Sequence, residues 1–215
     1  METAKLPLKL FESYFENVYE PAEDTFILLD ALESDLKLIE NLKPLFCLEI
    51  GCGSGTIITS LAKCLQRDNC LFLATDVNPL ALKCSRDCWN HNLSEISSLQ
   101  LINCNLSDVL RVNKLFNLIL FNPPYVPTEK FKESLGIEAS WVGGESGRKL
   151  IDIFIQKTLM NLSPDGFAYL VVIQQNKIDE IIKLANENGF ECNSIIERRC
   201  GIEKLSVLRF RYKSP

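Results

Sequence analysis

The chain has one histidine, His91, and no CxxC pair, and these absences remove the usual grounds for metal chemistry. Its nine cysteines (Cys47, Cys52, Cys64, Cys70, Cys84, Cys88, Cys104, Cys192 and Cys200) are scattered. Cys84 and Cys88 are spaced to lie one helical turn apart, but no second ligand pair stands nearby in sequence. Neither a zinc site nor a disulfide scaffold is therefore expected. Reduced cysteines acting as small core hydrophobes in a cytosolic or nuclear protein fit the pattern. Long apolar runs are missing too: FAYLVVI is far too short to span a bilayer. The N-terminus, METAKLPLKLFESYFENVYEP, mixes acids with bases and has no apolar stretch of the kind a secretory signal needs. Basic charge is in deficit, with 23 Lys+Arg against 28 Asp+Glu and a net charge of -5. Such a balance does not build the broad basic surface that direct nucleic-acid binding favours. A local basic group remains near the C-terminus: Arg198, Arg199, Lys204, Arg209, Arg211 and Lys213.

The composition that is present, 47% hydrophobic and 24% charged, is that of an ordinary globular chain. A single domain over 1–215 is expected, with residues 1–20 as an N-terminal segment and 21–215 as its core. Short apolar runs alternate with longer amphipathic stretches. LFCLEI (45–50), LFLATD (71–76), LQLINC (99–104), FNLILF (116–121) and GFAYLVVI (166–173) read as strands. Helices are expected over 21–40, 56–66, from near Pro79, over 148–162 and over 177–188, with Gly189 as a stop and SPDG (163–166) as a turn. Continuous apolar strands alternating with helices imply an α/β fold whose mostly parallel sheet is covered on both faces. Two final strands, 192–198 and 204–211, joined by CGIE, should form an antiparallel hairpin at one side. That ending suits the Rossmann-like class I S-adenosylmethionine-dependent methyltransferase fold better than a dehydrogenase.

The first strand runs into LEIGCGSGT, which sets Glu49, Gly51, Gly53 and Gly55 around a tight turn into a helix. A GxGxG turn alone is weak evidence. Its place after a strand and the acid two residues before the first glycine give it weight as a ligand crevice. Asp76, ending the second strand, can accept both ribose hydroxyls of a nucleoside, or it could cap the helix that starts near Pro79. NAD would fit Asp76 equally well. The GxGxG spacing is not the GxGxxG of pyrophosphate binding, however, and acids suit the cationic sulfonium and amino groups of S-adenosylmethionine. Asn105-Leu106 follows the third strand, where such folds place an acid or amide near adenine; Asp108 is an alternative, and either could simply begin a turn.

FNPPYVP (121–127) ends a core strand on an amide, two prolines and a tyrosine. Neither proline has an N–H for a sheet ladder, and both fix φ. Asn122 offers a side-chain carbonyl, and the rigid corner holds backbone carbonyls in place. Two acceptors converging on an NH₂ group can aim its nitrogen at an electrophilic methyl, while Tyr125 packs on the planar group that bears it. The arrangement suits methylation of an amide or of a base amino group, by positioning and electrostatic fit.

VYEPAEDTFILLDAL, LEIGCGSG, TDVNP, LILFNPPYVP, GIEASWVGGESGR and EKLSVLRF together resemble the HemK family of glutamine methyltransferases, in its short eukaryotic and archaeal branch, over Val18 to Phe210. The resemblance implies methyl transfer to N5 of the glutamine in the GGQ motif of a class I translation termination factor. It implies that Thr25 and Glu49 to Gly53 line the cofactor, with Gly51 between them, that Asp76 takes the ribose, and that Asn105 and Leu106 border the adenine. The position matched to Asn105 is usually aspartate in the family. Asn122, Pro123, Pro124 and Tyr125 would hold the glutamine side chain. Asn122, Pro123 and Tyr125 would be the catalytic group, and Asn122 would also border the methionine part of the cofactor. Family members are also linked to lysine on histone H4 and to adenine in DNA, so a protein-lysine or DNA-adenine methyltransferase stands as an alternative. A binding module that has lost turnover is a third.

In a class I sheet of order 3-2-1-4-5-7-6, the strand LQLINC lies at an open edge. It carries no charge and no proline, so it lacks the usual protection against edge pairing. A local loop could cover it. Members of the resembled branch instead join a small zinc-binding activator protein through this edge, extending the sheet, which implies a heterodimer.

Overall fold

The computed structural model describes residues 1–7, 11–66, 69–93, 98–111, 113–126 and 147–213. Seven strands share one sheet: β1 (Phe46–Ile50), β2 (Leu71–Asp76), β3 (Ser98–Asn103), β4 (Phe116–Phe121), β5 (Leu162–Ile173), β6 (Phe190–Cys200) and β7 (Glu203–Tyr212). Their order is β3-β2-β1-β4-β5-β7-β6. The first five pair in parallel, whereas β7 runs antiparallel to β5 and to β6. The expected class I sheet and its terminal hairpin are both present. Leu118, Ile119, Leu120 and Phe121 of β4 are all buried. Successive strand residues point to opposite faces, so both faces of the sheet are covered. The helices are α1 (Glu23–Ser34), α2 (Leu36–Leu42), α3 (Thr56–Leu65), α4 (Pro79–Asn92), α5 (Lys149–Gln156) and α6 (Ile178–Glu187). Helix α1 packs on α3 and α3 on α4, while α5 packs on α6. Phe154 of α5 sits between Phe121 of β4, 5.2 Å away, and Phe210 of β7, 6.2 Å away.

Three elements depart from the sequence reading. The helix expected over 21–40 is two helices that meet at Asp35. The Asp35 carboxylate is drawn to the sheet, where it accepts from Tyr169 Oη at 3.0 Å and Arg209 Nη1 at 2.7 Å. The helix expected over 148–162 stops at Gln156, and a 3₁₀ turn (Thr158–Asn161) leads into β5. SPDG is not a turn between elements but a bulge inside β5: the pairing jumps from Phe116–Leu162 to Leu118–Phe167. Pro164 cannot donate to the ladder, so the extra residues loop out there. The C-terminal basic group is largely neutralised. Arg198 pairs with Glu23 and Asp30, Lys204 with Glu197, Arg209 with Asp35 and Arg211 with Glu191.

The N-terminal segment lies against α4. Phe11, Tyr14 and Val18 form a small apolar cluster with Ala81, Cys84 and Cys88 of α4. Tyr14 Oη donates to Asp87 at 2.6 Å, and Asn78 Nδ2 donates to the Asn17 carbonyl at 2.7 Å. These contacts carry the chain to Val18 and Tyr19, at the mouth of the strand-end crevice.

The turn after β1 is where backbone geometry is most demanding. Gly55 has φ +76, and a Cβ there would lie 2.6 Å from the Ser85 Cα of α4. Gly55→Ala should therefore destabilise the protein by about 1–3 kcal/mol from backbone strain alone. Chemical denaturation measures this; a smaller loss would mean that the turn relaxes out of the left-handed region, and a larger one that the Ser85 contact adds to the strain.

Candidate active site

The C-terminal ends of β1, β2 and β4 open into a cavity of about 1110 Å³, mouth included. This is where open α/β sheets bind ligands. Thr25, Glu49, Gly51, Gly53, Asp76, Asn105, Leu106, Asn122, Pro123, Pro124 and Tyr125 all line it. Residues from five separate stretches of sequence therefore face one space. Asp108 does not line it; its Oδ2 accepts from Asn105 Nδ2 at 3.3 Å. Of the two positions weighed after β3, Asn105 is thus the one at the cavity. Pro127 and residues 136–146 of the GIEASWVGGESGR stretch lie outside the described residues.

Asp76 is not the cap of α4. Asn78 is: its Oδ1 accepts from Leu80 N at 3.0 Å. Asp76 instead ties the glycine turn to the end of β2, with Oδ2 accepting from Gly53 N at 3.0 Å and Oδ1 from Asn78 N at 2.8 Å. A carboxylate has lone pairs beyond those two bonds. Burial raises the Asp76 carboxyl above its ordinary value, and the N–H groups of Asn78, Gly53 and Val77 oppose that rise. A Cβ at Gly53 would meet nothing within 4 Å, so this backbone is open to close approach. Leu106 holds a left-handed φ of 48, and its carbonyl accepts from Thr75 Oγ1 at 2.8 Å.

The Asn-Pro-Pro-Tyr corner is pinned by residues that sequence reasoning missed. Asp24, 5% exposed, receives Asn122 Nδ2 and Tyr125 Oη on Oδ2, each at 3.0 Å. Its Oδ1 receives Tyr19 Oη at 3.0 Å and Thr25 N at 2.7 Å. Asn122 Oδ1 is buried with no hydrogen-bond partner among the described residues. Burial and the Asp24 charge both push the Tyr125 and Tyr19 hydroxyls up, so they remain donors. Behind the corner, the fully buried Asn176 donates Nδ2 to the Tyr125 carbonyl at 2.8 Å and accepts from Ile173 N, also at 2.8 Å. Gly147 crowds the same carbonyl: a Cβ there would lie 1.9 Å from it. In the sequence, Asp24 reads as an ordinary first-turn helix acid and Asn176 as a loop amide, so neither carries a local signal.

Residues 25–139 match the methyltransferase small domain family. Human methyltransferase HEMK2 is 39% identical over 91% of this chain and 90% of its own length. The eRF1 methyltransferase catalytic subunit mtq2 of Schizosaccharomyces pombe is 35% identical over 96% and 93%. Among solved structures, the E. cuniculi Mtq2–Trm112 complex, responsible for methylation of the eRF1 translation termination factor, contains a chain that superposes with a TM-score of 0.67. It is 27% identical, with 91% of this chain and 99% of that one covered.

Glu49 is almost wholly buried, and its Oε2 accepts from Ile58 N at 3.0 Å. Burial raises its carboxyl well above the ordinary range; the Ile58 bond lowers it, and the Asp76 charge adds to the rise. A raised folded-state value means that the stability present below the unfolded value, about 4.3, is lost as pH rises through the folded value. Glu49→Gln should therefore make the ligand-free protein more stable at neutral pH. The difference from the parent should vanish as pH falls towards ~4.3. Thermal melts across pH check this; each 1 kcal/mol gained appears as roughly 2–4 °C for a chain of this size.

Proposed function

Because this chain belongs to the methyltransferase small domain family, in its HemK group, we propose that it methylates the GGQ glutamine of a class I termination factor at N5. The observation that carries this reading is Asn122 Oδ1, a buried acceptor without a partner among the described residues, at the end of β4. Its amide nitrogen is committed to Asp24, so the oxygen is the atom left for an incoming donor. A planar amide NH₂ supplies two such donors. One is met by Asn122 Oδ1, and carbonyls of the proline corner meet the other. Tyr125 closes the corner, its carbonyl held by Asn176 and its hydroxyl by Asp24. The lone pair is then aimed at the methyl group without any residue serving as a nucleophile.

The cavity residues fit S-adenosylmethionine. Asp76 offers acceptor capacity for a ribose, and Asn105 and Leu106 offer an amide and an apolar contact for a base. Glu49 offers a carboxyl near a cationic amino acid portion, and Thr25 borders the same space. When bound, the cofactor would supply an electrophilic methyl whose sulfur takes the bonding pair as the acceptor nitrogen gains the methyl and gives up one proton to solvent. Excluding water around Asn122 strengthens its interaction with the developing charge.

The edge strand supports a partner. Among the described residues β3 pairs with β2 alone, at one end of the sheet. Leu101 and Ile102 are half-buried, while Ser98, Gln100 and Asn103 are exposed. Val77, whose carbonyl accepts from Asn103 Nδ2 at 3.0 Å, adds an exposed apolar side chain beside it. A small zinc-binding activator protein extending the sheet here would pair the free edge, as the heterodimer reading requires. Action on a termination factor would place the protein in the cytoplasm, with the nucleus as a second compartment.

The deciding assay offers a GGQ termination factor, histone H4 and DNA side by side with methyl-labelled cofactor, and locates the methyl by mass spectrometry. Label on the glutamine is expected; label only on lysine or on adenine overturns the reading. Asn122→Ala should lower turnover by about 10²–10³-fold while cofactor affinity by calorimetry changes no more than several-fold.

Co-expression with the activator should convert a poorly soluble, weakly active chain into a soluble, active heterodimer. A stable monomer with full activity that gains nothing from the partner would refute the edge-strand assignment.

A further inference from the structure

The reactive amide of Asn122 is useful in only one of its two orientations. With oxygen towards the acceptor it receives an N–H; with nitrogen there, donor would face donor. Rotation by 180° leaves the side chain's shape almost unchanged, so packing alone does not choose between them. A hydrogen-bonding neighbour must. The atom that meets Asn122 Nδ2 is Asp24 Oδ2, at 3.0 Å, from a residue 98 positions earlier in the chain.

We propose that Asp24 is a positioning residue for methyl transfer, its acceptor-only carboxylate locking the Asn122 amide with the oxygen facing the acceptor nitrogen. This rests on the methyl-transfer reading given above, though not on which acceptor takes the methyl. An ionised carboxylate presents no donor, so the flipped amide would set two oxygens against each other at hydrogen-bond distance. Asp24 is itself immobilised. Tyr19 Oη, Thr25 N and Tyr125 Oη occupy its remaining directions, and it sits in the first turn of α1, where the helix dipole favours negative charge. Among the described residues no cation pairs with it; neutral donors hold the charge. The lock also joins the two sides of the acceptor site. Tyr125 and Asn122 share one oxygen of Asp24, so the ring and the amide keep a fixed relation.

The test reverses the bond. In the full chain, Asp24→Asn, Asn122→Asp and the double variant Asp24→Asn/Asn122→Asp are compared with the parent by single-turnover methyl transfer, with cofactor affinity measured by calorimetry. Each single change should cost about 10²-fold in turnover and leave cofactor affinity within several-fold of the parent. In the double variant the residue-24 amide donates to one oxygen of residue 122 and the other oxygen still faces the acceptor. Turnover should recover about tenfold or more over either single change. Recovery below that, or Asp24→Asn turning over like the parent, would overturn the proposal. If Asp24→Asn folds poorly, Asn122→Asp alone carries the test through its pH profile. Two carboxyls at this distance share a proton as pH falls, and the protonated oxygen restores the donor to Asp24. Its turnover relative to the parent should therefore rise on acidification, and a flat or falling ratio refutes the lock. The other titratable groups facing the pair, the Tyr19 and Tyr125 hydroxyls and Glu203, are common to parent and variant and cancel in that ratio. A parent that leaves the glutamine unlabelled overturns the function reading instead. The reversal is then read on whichever acceptor the label identifies, because the lock does not depend on it.

Discussion

One buried carboxylate organises the acceptor side of this protein. Asp24 reaches from the first turn of α1 to the corner after β4 and holds an amide, two tyrosine hydroxyls and a backbone N–H together. An ionised group with so little exposure is costly to bury unless several donors surround it. Here the donors are the very groups that shape the site. The charge that would otherwise destabilise the fold thus becomes the device that orders the Asn-Pro-Pro-Tyr corner.

A parallel arrangement orders the opposite wall. Asp76, at the end of β2, holds the glycine turn after β1 through Gly53 N and the start of α4 through Asn78 N. Gly55 lets that turn press against α4, and Ser85 Oγ donates to the Gly53 carbonyl at 3.0 Å. In both walls a carboxylate at an element end fixes backbone or amide groups that would otherwise be mobile. Preorganisation of this kind matters for a reaction helped chiefly by positioning, because the polar groups need not move as charge develops.

The distribution of surface features follows the same division. Arg198, Lys204, Arg209 and Arg211 of the terminal hairpin pair with acids of α1, α2's flank and β6. The opposite end of the sheet is uncharged: β3 carries only Ser, Leu, Gln, Ile and Asn. Ion pairs thus cover the terminal hairpin, while the edge strand itself stays neutral.

The strand–helix rhythm and the terminal hairpin could be read from periodicity, because continuous apolar strands and amphipathic helices are local patterns; the strand order came from likeness to the class I methyltransferase fold. The cavity residues at strand ends were legible for the same reason: in this topology the C-terminal edge of each parallel strand must face one crevice. Local pattern could not show where long-range polar contacts would intervene. Asp35 breaks a helix because Tyr169 and Arg209 claim its carboxylate, and SPDG becomes a bulge because β4 continues past it. Asp24 and Asn176 look like a helix acid and a loop amide until folding sets them against Asn122 and Tyr125. The sequence by itself determined the frame and the chemical identity of the strand-end residues. Tertiary structure alone decided which end of the Asn122 amide is left free, since that depends on a hydrogen bond between residues 98 positions apart.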